Sequence, residues 1–280
     1  VASAEIANIV GAMRSDAVVP PFDAPQTRFN TKLGTHRAAA GISLDRQRIR
    51  AVQVAASRSG YGPVTSNGPV TRNGPVTRND VVIALIAGAL RSWLLERDQL
   101  PERTMVAICP VSVGDQDADN RAENKFGLGL CPIGTDIADP AERLAFVHTA
   151  MKNIKEQVTL NGSDAMLAVM GPAIGSTVVK PLLPFSSLLP PSCNMAIANV
   201  SGPREAMYYN GARVDEIYPM SSVYDGIGLN VTVCRYAGKI GFSYVTDADV
   251  MPRIAELLPL TQQALEQLES AYGLPGGSAG

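Results

Sequence analysis

Side chains able to do chemistry are few in this chain and widely spaced. Its 280 residues hold two histidines, His36 and His148, and four cysteines, Cys109, Cys131, Cys193 and Cys234. A histidine acts as a general base when a second group orients it, yet neither histidine has a recognisable carboxylate partner nearby in sequence. His148 follows Leu144 by one helical turn on an apolar edge and is expected to be a structural, buried ring. The cysteine spacings exclude a zinc ribbon and a redox Cys-x-x-Cys, leaving buried thiols in a reducing compartment. Gly114-Asp-Gln-Asp-Ala-Asp-Asn120 opens like a calcium loop. The glycine and glutamate such a loop needs are replaced by Asn120 and Phe126, so it is expected to be a solvated turn. No Gly-x-Ser-x-Gly elbow, phosphate-binding glycine loop, His-Glu-x-x-His pair or dinucleotide fingerprint occurs, which disfavours a serine hydrolase or a nucleotide enzyme.

Composition sets the class. Apolar residues make up 46% and charged ones 18%, with a net charge of −2, so the chain is globular and no nucleic-acid partner is expected. It begins at Val1 without a leader pattern, ends in a Gly/Ser/Ala-rich stretch from Gly276, and is expected to be a fragment. The uncharged window from Ala165 to Val179 is broken by Gly171-Pro172 and Gly175 and falls short of a membrane span.

The elements follow from periodicity. Residues 1–14 form a short helix, and Val18 to Pro25 is looped. Ala38 to Ile42 is a strand, and a helix from Leu44-Asp45 carries Ile49, Val52 and Val54. Three tandem hexapeptides, GPVTSN and GPVTRN twice from Gly62 to Asn79, are turn-forming and exposed. The run from Asp80 to Leu95 is apolar nearly all round, so its helix is buried, with Asn79 or Asp80 as the N-cap. Thr104 to Val111 is an inner strand. Asp139-Pro140 starts a helix to Val158 whose buried stripe is Leu144, Val147, Met151, Ile154 and Val158. Further strands are predicted at Cys193–Val200, Ala212–Met220, Leu229–Tyr236 and Lys239–Thr246, with a hairpin turn at Ala237-Gly238. A final helix has Pro252 near its start, a kink at Pro259 and a stop at Gly273. Strands alternating with helices give an α/β class with a mixed sheet.

Six motifs then occur in order: Thr77-Arg-Asn79-Asp80-Val-Val-Ile-Ala, Pro110-Val-Ser-Val113, Asn124-Lys-Phe-Gly127, Asn199-Val-Ser-Gly-Pro203, Asp225-Gly-x-x-Leu-Asn230 and Tyr236-Ala-Gly-Lys-Ile240. Each is weak alone. Together, with Asn30, Gly34, His36 and Arg37 upstream, they closely resemble the later part of the bacterial wax ester synthase/diacylglycerol acyltransferase family. The resemblance implies a fold like the CoA-dependent acyltransferases and chloramphenicol acetyltransferase, with the N-terminal half incomplete. Residues 1–79 would then be the end of the N-terminal domain plus a linker, 80–275 the C-terminal domain, and 276–280 a flexible tail.

The implied activity is transfer of a fatty acyl group from acyl-CoA, as co-substrate with no bound cofactor or metal, to diacylglycerol or a long-chain alcohol. The family's His-His-x-x-x-Asp-Gly motif is absent from this chain, so the catalytic histidine is expected on a missing N-terminal half. The substrate-binding residues implied are Asn79, Asp80, Asn199, Ser201, Gly202, Asp225, Gly226 and Asn230. Asn79 and Asp80 equally suit a purely structural helix cap. Met166, Leu167, Val169 and Met170, with Leu182, Leu183, Phe185, Leu188 and Leu189, suit an acyl tunnel wall or a lipid-resting surface as well as ordinary core. The location implied is cytoplasmic, or peripheral at the inner membrane or on lipid droplets. A non-catalytic lipid-binding or docking module of the same fold, or an esterase, is the alternative.

Overall fold

The computed structural model describes residues 10–11, 19–59, 74–112, 126–179, 190–203 and 205–275. Most of the expected N-terminal helix, the first two hexapeptides, the aspartate loop at 114–120, the run at 182–189 and the tail at 276–280 lie outside them.

Six strands form one mixed sheet in the order β1-β8-β7-β4-β2-β3. They are β1 (Arg37–Asp45), β2 (Val106–Ser112), β3 (Phe126–Pro132), β4 (Met195–Ser201), β7 (Leu229–Tyr236) and β8 (Lys239–Asp247). A separate two-residue ribbon pairs β5 (Tyr208–Tyr209) with β6 (Ala212–Arg213). The centre is parallel, β4 lying between β2 and β7. Both flanks are antiparallel, with β1 on β8, β8 on β7 and β3 on β2. The sequence-derived α/β class with a mixed sheet is therefore the observed one. The edge strand β1 comes from upstream of residue 79 and pairs with β8 along its whole length.

The longer helices among the described residues are α1 (Arg46–Ser59), α2 (Arg78–Leu95), α3 (Pro140–Val179) and α4 (Leu257–Ala271). The middle of α2, Val81 to Leu90, is buried throughout, as its all-round apolar pattern requires. It packs against α1, α3 and α4. Phe242, Tyr244, Val231, Val233 and Ile197 share the sheet face that these helices cover, and the Tyr244 hydroxyl bonds Thr261 Oγ1 of α4 at 2.7 Å. Arg48 of α1 holds the buried Glu269 of α4 through two parallel bonds of 2.8 and 2.7 Å. On the opposite face the Tyr218 ring lies over Gly41, where an added Cβ would meet Cδ1 at 2.6 Å.

Several boundaries differ from expectation for local reasons. The N-cap of α2 is Thr77, not Asn79 or Asp80. Asp80 sits three residues in and reaches back to the Thr77 N–H at 2.8 Å, while its own N–H donates to Thr77 Oγ1, a reciprocal capping box. Helix α3 starts as expected, with Asp139 Oδ1 accepting from the N–H groups of Ala141 and Glu142. Its first stretch ends at Gly162, where φ is 80° and ψ 159°, a few residues past the expected end at Val158, and a second helical stretch follows to Val179. Gly171-Pro172 and Gly175 leave the helical path unbroken. Of the expected tunnel residues, Met166, Leu167, Val169 and Met170 have helical backbone here.

Strand β3 was not expected, because its two glycines hide the alternation. They are needed because Val158 and Ile154 of α3 lie where Cβ atoms at Gly127 and Gly129 would be. The strand predicted over Ala212–Met220 shrinks to two residues. Pro259 lies in the first turn of α4, where no helical donor is lost, so no kink forms. Val54 of α1 is exposed rather than core. Ala237 and Gly238 both take positive φ at the β7–β8 hairpin, as a two-residue loop of this hand requires. Among the described residues no helix is long and apolar enough to cross a membrane.

Candidate functional site

The N-terminal turn of α2 meets α3 where His148 projects, and the two helices bring together residues 68 positions apart. His148 Nδ1 lies 2.7 Å from Asp80 Oδ2, with both side chains buried. The same Oδ2 accepts the capping bond from Thr77, so the cap fixes the carboxylate and the carboxylate fixes the ring. Asp80 Oδ1 is buried and has no hydrogen-bond partner. An unfilled buried acceptor of this kind is poised to take a donor from a bound molecule or a water. Beside the pair is a cavity of about 510 Å³, lined among others by Thr77, Asp80, His148, Lys152, Lys155 and Leu160.

A second cavity, about 430 Å³, opens between the same turn of α2 and the ends of β4 and β7. It shares Thr77 and Lys155 with the first, and its polar lining includes Arg78, Asn79, Asn199, Ser201 and Arg235. Asn199 Nδ2 donates to Asn79 Oδ1 at 3.1 Å, tying β4 to α2. Gly202 follows at the strand end; a side chain there would run into the Arg235 carbonyl and come within 2.7 Å of Cys234 Sγ. The fold thus gathers Asn79, Asp80, Asn199 and Ser201 at one corner of the molecule, with Gly202 shaping its edge.

The other three expected residues lie elsewhere. Asp225 Oδ1 accepts from the Leu33 N–H at 2.8 Å. The Gly226 N–H donates to Thr31 O, and its carbonyl accepts from Asn30. Gly226 has a φ of 79°, which explains the glycine. Asn230 faces away from the helices, with its carboxamide engaged by Thr232 and the Ser222 carbonyl. These groups stitch the segment at 27–33 and the loop at 221–228 to the sheet.

His148, Arg78, Arg235 and Lys155 were not singled out from sequence as site residues. The pairing of His148 has no local signal. All four cysteines are buried, as expected. Burial foremost, then the Cys109 charge, pushes the Cys193 thiol up to about 12, so it is neutral and unreactive near pH 7. Among the described residues no group of side chains could hold a metal ion.

Comparison with known proteins adds the family. The model of the WS/DGAT C-terminal domain family matches residues 122–269. A probable diacylglycerol O-acyltransferase from Mycobacterium tuberculosis is 33% identical over 94% of this chain and 54% of its own length. O-acyltransferase WSD from Acinetobacter baylyi is 30% identical over 90% of the chain and 50% of its own length. The wax ester synthase/diacylglycerol acyltransferase from Marinobacter aquaeolei superposes with a TM-score of 0.72 at 26% identity, over 98% of this chain and 57% of that one. The chain spans about half the length of the curated relatives it matches. On the extent of the family match and the agreement of fold, the chain belongs to the wax ester synthase/diacylglycerol acyltransferase family, of which it carries the C-terminal domain.

Proposed function

We propose that the chain is the C-terminal half of an O-acyltransferase that moves a fatty acyl group from acyl-CoA to diacylglycerol or a long-chain alcohol. The observation that carries this reading is the pair of neighbouring cavities at the start of α2, walled by Asp80, His148, Asn79 and Asn199, in a chain of this family. An alcohol is a weak nucleophile at neutral pH. A base must take the hydroxyl proton as the oxygen attacks the thioester carbonyl, which is worth roughly 10²–10⁴-fold. The tetrahedral oxyanion then collapses, the C–S bond breaks, and the proton passes to the departing CoA sulfur. That base is assigned to the His-His-x-x-x-Asp-Gly motif of the N-terminal half. The residues here hold and orient the substrates. Asp80 Oδ1, the unfilled acceptor, is suited to a hydroxyl of the acceptor alcohol or of the pantetheine arm.

The test is acyl transfer by the full-length protein from palmitoyl-CoA to dioleoylglycerol and to hexadecanol, following ester and free thiol. Stoichiometric ester and CoA are expected. Free fatty acid as the sole product would favour an esterase, and no turnover with retained lipid binding would favour a docking module. A peripheral location at the inner membrane or on lipid droplets belongs to the same proposal. Flotation of the full-length protein with liposomes tests it, and failure to float removes it.

A further inference from the structure

The polar cavity is bordered by an excess of positive charge. Arg78 and Arg235 line it with Lys155, and Arg46 and Arg50 of α1 are near enough for their charges to act on Arg78. Among the described residues none of these four arginines forms an ion pair; Arg28, Arg91 and Arg143 form none either, but their guanidinium groups are taken up by Gln99 or by backbone carbonyls. Arg235 Nε is buried without any hydrogen-bond partner. Burial, then the charges of Arg235, Arg46 and Arg50, holds the Arg78 guanidinium below its usual pKa. Like charges crowded at a partly desolvated corner repel one another, and in a chain of net charge −2 they are not a by-product of a basic composition. The first turn of α2 lines the same cavity, adding the positive end of its dipole.

We infer that this cavity seats the phosphate groups of the acyl donor, with Arg78 and Arg235 as direct ligands and Arg46, Arg50 and Lys155 supplying field around them. The inference rests on the acyl-CoA reading above and deepens it. Guanidinium groups match phosphate oxygens two bonds at a time, which suits the several phosphate charges of a CoA nucleotide. The neighbouring cavity at His148 and Asp80, which shares Thr77 and Lys155 as walls, is then where the pantetheine arm leads.

The experiment compares palmitoyl-CoA with palmitoyl-pantetheine, which lacks every phosphate, as donors for full-length wild type, Arg78→Gln, Arg235→Gln and the double variant. Direct titration with CoA alone accompanies the kinetics. Each single change is expected to raise KM for palmitoyl-CoA about ten-fold, the size of one lost charged hydrogen bond. KM for palmitoyl-pantetheine and kcat for both donors should stay within two-fold. CoA affinity should fall in step, and the wild-type value should weaken as salt is raised. Equal effects on both donors, or none, would overturn the inference. So would loss of binding to phosphatidylserine vesicles with KM for palmitoyl-CoA unchanged, which would assign the arginines to lipid headgroups. A wild type that transfers from neither donor, yet binds CoA through these arginines, would sink the acyl-transfer reading and leave the phosphate site standing.

Discussion

The corner at the start of α2 and the loop at 221–230 are built from the same residue types, asparagine, aspartate and serine, and use them in opposite ways. Around Asp225 and Asn230 the chain fills the groups with its own partners: Asp225 takes Leu33, Gly226 takes Thr31 and Asn30, and Asn230 takes Thr232 and Ser222. At the α2 corner capacity is left over. Asp80 Oδ1 and Arg235 Nε are buried without partners, and two cavities adjoin them. A polar group whose bonds are all made internally contributes to stability, and one kept unsatisfied at the edge of a cavity is available for a ligand. Motif membership alone does not separate the two.

The contrast can be broken by mutation, and the largest effect is expected at Asp80. Asp80→Ala removes the reciprocal cap and strips the buried His148 of its carboxylate. A loss of about 3 kcal/mol is expected from urea unfolding of the full-length protein, since breaking a buried pair costs more than a cap alone. A loss under about 1 kcal/mol would show that the pair is not formed. Gly202→Ala comes next. Its methyl would run into the Arg235 carbonyl, so ~2 kcal/mol of destabilisation is expected, together with weaker CoA binding as Arg235 is displaced; normal stability and binding would mean the strand end yields freely.

Asp225→Ala frees only the Leu33 N–H. About 1 kcal/mol should be lost with kcat and both KM values within two-fold of wild type, and a selective fall in kcat would move this loop into the site. The smallest effect is at Glu216, an exposed partner of Lys239 and Tyr218 that lines neither cavity. Lys239, then Tyr218, holds its carboxyl below the usual range. With the folded-state pKa depressed, the pair stabilises the protein above the unfolded pKa, and that contribution fades as pH falls through the lowered value. Exposure limits it to about 0.5 kcal/mol. Glu216→Gln should flatten this part of the stability profile in acid titration monitored by circular dichroism, and an unchanged profile would exclude the pair as a contributor.

Much of the architecture was legible along the chain. The all-round apolar run after Asp80, the Asp139-Pro140 start of α3 and the Ala237-Gly238 turn each carry a local cause, and each element stands where that cause puts it. Legibility failed where a distant neighbour set the requirement. Gly127 and Gly129 obscure β3 until Ile154 and Val158 are seen against them. Helix α3 breaks at Gly162, close to its expected end, and the second helical stretch beyond it tolerates the backbone breakers at 171, 172 and 175. The Asn79-Asp80 pair was visible in sequence. Its cap, however, is Thr77, because a short hydroxyl three residues ahead of an acid closes a box that neither Asn79 nor Asp80 can close alone.

The alternation of strands and helices, the burial of α2 and the motifs that mark the family are all properties of short stretches or of their order. Those depend on neighbours within a turn or two, or on order along the chain. Folding in three dimensions is what sets Asp80 against His148, brings Arg78 and Arg235 to one cavity, and turns Asn199 and Asn230 to opposite faces of the sheet. Successive strand residues alternate sides, so a one-residue change in the register between β4 and β7 would put both side chains on one face. That register is fixed by the packing of the whole sheet against its helices, a sum of contacts that no short segment contains.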